Sequence, residues 1–235
     1  MSLFRLAFVW SLTPAMLPGP LVAHAAADDP LAAVFNRMDQ SAAKFKDLTA
    51  DMKKVSYMAV LKEESVDVGK IAVRLPKKHD YHVLIDFSQP DQKQVQLAGT
   101  RVDSFYPKTN TDQIVDLGKT KRALIETFVL LGFGSNSKDL QDAFEIRYGG
   151  PEAAAGEPAT RIELTPKDKE VARQFPKFEL WISDRTGMSV QQKMYELGGD
   201  YLLATYTNMK INQNLPDTAV KLNLPKGVRR EYVQR

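Results

Sequence analysis

Few side chains in this 235-residue sequence are spaced for chemistry. His79 and His82 form a single His-x-x-His pair, with Asp80 and Asp86 close by. The surrounding residues alternate as a strand does, and strand positions three apart point to opposite faces. Both rings are therefore not expected to meet one metal ion. A catalytic serine has no G-x-S-x-G elbow to sit on. Gly132-Phe133-Gly134-Ser135 has the composition of a phosphate loop, but it follows a helical stretch. A phosphate loop precedes its helix, so that the helix N-terminus faces the anion; this run reads as a helix stop. Asp and Glu number 29, and nothing in their spacing singles out two as an acid–base pair. Cysteine is absent, which excludes disulfides, a thiol nucleophile, Cys-ligated zinc, iron–sulfur clusters and a thioether lipid anchor. The reading is a non-enzyme with no catalytic residue, no metal and no cofactor.

Charge points the same way. The 32 Lys and Arg nearly balance 29 Asp and Glu, a net +3, far from the concentrated basic footprint of a nucleic-acid binder. Lys53-Lys54, Lys77-Lys78 and Arg229-Arg230 read as solvated surface. Residues 1–25 read as a secretory signal peptide: Arg5 is the one charge before Asp28, an apolar region opens at Leu6, and Ala23-His24-Ala25 is a small-x-small cleavage site. Pro14, Pro18 and Pro20 interrupt the stretch and argue against a membrane span. Cleavage near Ala25–Ala27 would release a single domain, 26–235, to the periplasm.

The elements follow from periodicity. Asp29-Pro30 is a helix start, an Asp N-cap with Pro at the first helical position. Leu31, Val34, Phe35, Met38, Ala42 and Phe45 recur at helical spacing. From Gly69 to Pro107 the period becomes two: Ile71, Val73 and Leu75 share one face, Tyr81, Val83, Ile85 and Phe87 the next, then Val95 and Leu97, then Val102, Ser104 and Tyr106. Pro76, Gln89-Pro90-Asp91 and Gly99 mark the turns. Thr120–Phe133 is helical, with Leu124, Phe128 and Leu131 on one face. The run Phe128–Leu131 is apolar throughout, so that helix must be covered on several sides. Ser137–Ala143 reads as a short helical turn, Gly149–Pro158 as a flexible loop and Lys167–Gln174 as a polar connection. Asp184–Gly187 is a hairpin turn, and Val220, Leu222 and Leu224 read as a last short strand.

Strands dominate, hairpins are short and no βαβ alternation occurs, so the class is α+β with a mainly antiparallel sheet. Leu84 and Leu202 interrupt otherwise polar strand faces. Two readings of this apolar excess remain: a sheet packed on its helices, or a curved sheet holding an apolar ligand beneath a helix.

The motifs of this region resemble those of the periplasmic outer-membrane lipoprotein carriers, the LolA family. Phe45-Lys46-Asp47-Leu48-Thr49-Ala50-Asp51-Met52 leads into the first strand. A glycine-led strand ends in Arg74-Leu75-Pro76, and an aromatic-led strand ends in Gln89-Pro90-Asp91. Phe105-Tyr106-Pro107, Leu164-Thr165-Pro166-Lys167 and Leu224-Pro225-Lys226-Gly227-Val228 follow in order. The resemblance implies an unclosed half β-barrel of about 10–11 strands with a helical lid. It implies a monomer that receives acylated lipoproteins from an inner-membrane ABC transporter and delivers them to an outer-membrane lipoprotein receptor. Acyl-chain contacts are then expected from Ile71, Val73, Leu75, Tyr81, Val83, Ile85, Phe87, Leu124, Phe128 and Leu131. An envelope-stress sensor or amphiphile-binding protein of the same fold is the alternative. The sequence departs from the family at Leu75, where enterobacterial members place the arginine that ties down the lid. Arg74 stands one residue earlier and, by alternation, on the opposite face.

Overall fold

The computed structural model describes residues 29–77, 80–116, 118 and 133–233. It contains one twelve-stranded sheet. The strands are β1 (Asp47–Met58), β2 (Glu63–Lys77), β3 (Asp80–Gln89), β4 (Lys93–Ala98), β5 (Arg101–Tyr106), β6 (Thr111–Asp116), β7 (Phe144–Ala154), β8 (Glu157–Pro166), β9 (Lys177–Ser183), β10 (Ser189–Tyr195), β11 (Tyr201–Ile211) and β12 (Arg229–Tyr232). Their order is β12-β6-β5-β4-β3-β2-β1-β11-β10-β9-β8-β7. Two antiparallel meanders, β1–β6 and β7–β11, thus meet at one seam between β1 and β11, where Leu48 opposes Ile211 and Tyr57 opposes Tyr201. The sheet edges, β12 and β7, do not pair with one another, so the barrel stays open.

Three α-helices are described: α1 (Pro30–Ala42), α2 (Ser137–Ala143) and α3 (Lys169–Gln174). Each starts on a side-chain cap. Asp29 accepts from Leu31 N at 3.0 Å, Asn136 from Asp139 N at 2.8 Å, and Asp168 from Glu170 N and Val171 N at 2.9 Å. They cover the inner face of one arm only. Val34 and Met38 of α1, Leu140 of α2 and Val171 of α3 pack with Phe144, Ile162, Leu164, Phe178, Leu180 and Ile182 of β7–β9. The inner face of the other arm, β1–β4, packs with Phe45, Phe133, Met188 and Tyr206.

Several local expectations are corrected. The run Gly149–Pro158 is not a loop: β7 and β8 pair from Phe144/Pro166 to Ala154/Glu157. Ala155 (φ 54) and Gly156 (φ 82) make the two-residue turn, and positive φ at both positions matches the twist of the strands it joins. The polar connection after Pro166 contains α3, whose Val171 is buried. The strand expected at residues 220–224 is absent; Asp217–Val220 is a short 3-10 turn, and Leu222 N donates to Gln96 Oε1 at 2.7 Å. The last strand is instead Arg229–Tyr232, parallel to β6, which makes twelve where ten or eleven were expected. Residues 212–228 cross the outer face of the β1–β6 arm to reach it. They are held by Asp47, which accepts from Gln213 N and Leu215 N, by the Arg74–Asp217 ion pair, and by Asn110, whose side chain donates to Gly227 O.

Candidate ligand-binding site

The inner face that the three described helices do not cover holds a cavity of about 220 Å³. Both arms build it. From β1–β4 come Met52, Ile71, Val73, Tyr81, Val83, Ile85, Val95 and Leu97; from β10 and β11 come Met194, Leu202, Ala204 and Tyr206; Phe133 closes one side. Strand alternation explains the selection, because Ile71↔Ile85 and Val73↔Val83 are direct cross-strand partners on β2 and β3. Gly69 permits the close approach of these strands: a Cβ there would lie 2.2 Å from Asp86 O.

Polar groups in the wall are few and engaged. The Tyr206 hydroxyl donates to Gln192 Oε1 at 3.4 Å, and burial pushes its pKa up. At one end the Lys54 ammonium pairs with Asp67 at 2.6 Å and lies 5.2 Å from the centre of the Phe87 ring. Lys93 covers the same ring at 4.8 Å. At the other end Tyr81 borders a second, more polar cavity of about 550 Å³, walled by Phe45, Leu75, Pro76, Lys77, Asp39, Asn136, Lys138 and Asp139 among others. Burial raises the pKa of the Tyr81 phenol, Ser135 opposes that rise, and Asp139 adds to it.

No family model matches the sequence, and no curated protein matches it. Solved structures do. An uncharacterised conserved protein from Thermus thermophilus is similar over 86% of this chain and 99% of its own, with 13% identity and a TM-score of 0.53. MucB is similar over 81% of this chain, with 13% identity and a TM-score of 0.50, and the match spans 62% of its length. A LolA superfamily protein from Nitrosomonas europaea matches over 81% of this chain and 97% of its own, at 12% identity and a TM-score of 0.40. The fold is shared with the Thermus protein and MucB. Its marks among the described residues are an antiparallel-dominated sheet whose two end strands do not pair with one another, and helices against its inner face. At these identities the likenesses are of fold alone.

Within this open sheet, Ile71, Val73, Tyr81, Val83 and Ile85 come together in the 220 Å³ cavity. Leu75 lies outside it, in the wall of the second cavity. Phe87 is buried at the lysine-bearing end and lines neither. Leu124, Phe128 and Leu131 lie outside the described residues, as do residues 1–28. Arg74 faces away from the cavity, paired with Asp217. His82 contacts Asp80 at 3.1 Å, and among the described residues no three His, Asp or Glu side chains are grouped to hold a metal ion. Sequence reasoning missed the contribution of β10 and β11. Leu202, which shares its strand face with Ala204 and Tyr206, is the residue that pointed to it.

Proposed function

We propose that this protein is an envelope carrier that holds the acyl chains of lipoproteins in the inner cavity of its half-barrel. The apolar cavity between the two arms of an open sheet carries this reading. A lipid anchor gains about 0.8 kcal/mol for each methylene removed from water, so it does not cross an aqueous compartment uncovered. A carrier must cover enough of the anchor to keep it soluble and still release it to a better-covering site. An open sheet with a cavity at its seam suits both demands, and the transfer needs no covalent step. On this reading the chain is exported, works as a monomer, loads from an inner-membrane ABC transporter and unloads to an outer-membrane lipoprotein receptor. The test is purification from the periplasm of a Gram-negative host, followed by mass spectrometry. Acylated polypeptide should co-purify; folded, exported protein that carries none overturns the reading.

The size of the cavity favours a second reading. Drug-sized ligand pockets run from about 300 to 1,000 Å³, and an apolar cavity of about 150 Å³ accepts one benzene. A cavity of about 220 Å³ covers part of one chain. That suits a protein that senses or binds single-chain amphiphiles on the same fold. Lipid extraction separates the two readings, because the second yields free lipid without acylated protein.

A further inference from the structure

We infer that Lys54 and Lys93 form an anion-binding end to the inner cavity, which takes the charged head of a single-chain anionic amphiphile while its chain lies along the apolar wall. The inference rests on the proposed binding of single-chain amphiphiles and names their charge and orientation.

Strand register puts the two lysines together. Phe87 on β3 lies directly across from Gly69 on one side and from Lys93 on the other. Gly69 is in turn the partner of Met52, a residue of the cavity wall. Alternation gives Lys54, two residues on, the same inward face, and Lys54 lines the cavity itself. Gly69 has no side chain to stand between Lys54 and Phe87. Both ammoniums lie over that one buried ring, at 5.2 and 4.8 Å from its centre. Asp67, opposite Lys54 in the β1–β2 ladder, pairs with it at 2.6 Å. Among the described residues Lys93 has no ion-pair partner. Two cations therefore share one carboxylate, and the surplus positive charge sits at the end of an otherwise apolar wall.

The opposite end carries no such surplus. The outer cavity beyond Tyr81 holds Lys77 and Lys138 but also Asp39 and Asp139, and Lys138 is paired with Asp142 at 2.6 Å. Charge therefore orients a bound amphiphile, with its anionic head on the lysines and its chain toward Tyr81. A carboxylate and a phosphate both accept strongly from ammonium donors, so a free fatty acid and a lysophospholipid share this chemistry.

The experiment measures the affinity of the purified protein at neutral pH for four probes of one chain length, each below its micelle concentration. These are decanoate, uncharged decanoylglycerol, decyltrimethylammonium and decanoyl-lysophosphatidylglycerol. The anions should bind roughly tenfold tighter than decanoylglycerol, the scale of one hydrogen bond to a charged group. Added salt should shrink that preference. Lys93→Met should reduce it and the double variant with Lys54→Met should abolish it, whereas Asp67→Asn, which frees Lys54 from its competitor, should enlarge it. Melting curves check that each variant is folded. Should Lys54→Met not fold, Lys93→Met and Asp67→Asn decide, because they move the preference in opposite directions. Equal binding of anionic and uncharged probes overturns the anion site. So does tighter binding of the cation, or a preference that survives undiminished in folded Lys93→Met. Failure of all four to bind overturns the amphiphile reading itself. Tighter binding of decanoate than of the lysophospholipid identifies a free fatty acid as the source of the anion, and the reverse identifies a phospholipid head.

Discussion

Arg74 is ion-paired with Asp217 on the outer face of the sheet, while its neighbour Leu75 packs partly buried against the inner core. The arginine beside Leu75 is thus turned away from the cavity and engaged by the crossing segment 212–228. Arg74→Ala is expected to leave the affinity for a fluorescent fatty acid within twofold. Its cost in stability should stay under about 1 kcal/mol, the usual worth of a pair with an exposed partner; Asp217 is 71% exposed. A tenfold change in affinity would show that Arg74 acts on the cavity after all.

Ile85 and Asp86 are adjacent on β3 and face opposite sides. Ile85 lines the cavity and Asp86 is exposed. Ile85→Glu puts a carboxylate into an apolar wall, where a charge without a partner is costly. It should weaken binding of the same fatty acid more than tenfold, while Asp86→Ala leaves it unchanged. Equal effects from both would place the binding surface elsewhere.

Gly69→Ala should be among the most damaging single-methyl changes in the chain. The added Cβ would meet backbone, 2.2 Å from Asp86 O and 2.7 Å from Phe87 Cα, and backbone cannot rotate aside as a side chain does. A loss of about 2 kcal/mol or more is expected, read as a lowered urea midpoint. A midpoint close to that of the unmodified chain would mean β2 and β3 separate at little cost.

Acid should destabilise the outer face of the β7–β11 arm through Glu179. Burial by itself would raise the pKa of this carboxyl. Hydrogen bonds from Lys177 and Tyr195, with Lys177 and Arg161 charges nearby, outweigh burial and hold it below the ordinary value. A lowered folded-state pKa contributes stability above the unfolded value of about 4.3, and that contribution is lost as pH falls through the folded value. Glu179→Gln should therefore flatten the loss of stability between neutral pH and acid, measured by denaturant midpoints. An unchanged acid limb would rule Glu179 out as its source.

Asp112 has the opposite sign. It is fully buried, both its oxygens lack hydrogen bonds, and Arg230 comes no nearer than 3.9 Å. Burial first, then the neighbouring Asp103, raise its pKa. A raised carboxyl costs stability above its folded pKa, and the cost is relieved as pH falls. Asp112→Asn is expected to stabilise the chain at pH 7 by about 1–3 kcal/mol, with the gain shrinking toward acid. Destabilisation at pH 7 would mean the carboxylate has a partner in solution.

The β1–β6 arm was legible because its side chains alternate cleanly: Tyr81, Val83, Ile85 and Phe87 declare both a strand and its inner face. The β7–β8 hairpin was hidden because Gly149, Gly150 and residues 153–156 present little side chain from which to read a period. Arg229–Tyr232 has no apolar alternation; its backbone pairing with β6 makes it a strand, and that partner lies more than a hundred residues away. Leu222 and Leu224 did alternate, but the Leu222 amide is taken by the Gln96 side chain. For the cavity, local pattern found the wall from β2 and β3. The opposite wall depends on the β1–β11 pairing, which no local pattern encodes.

That pairing has a consequence for how the chain reaches its native form. Every strand of each meander pairs with its immediate sequence neighbour, whereas β1 must find β11 across most of the described chain. Loop-closure entropy opposes such a contact until much else is organised. The seam is therefore expected to zip last, from two preformed arms. The cavity would then be born with the rate-limiting event, and a destabilised seam would delay both at once.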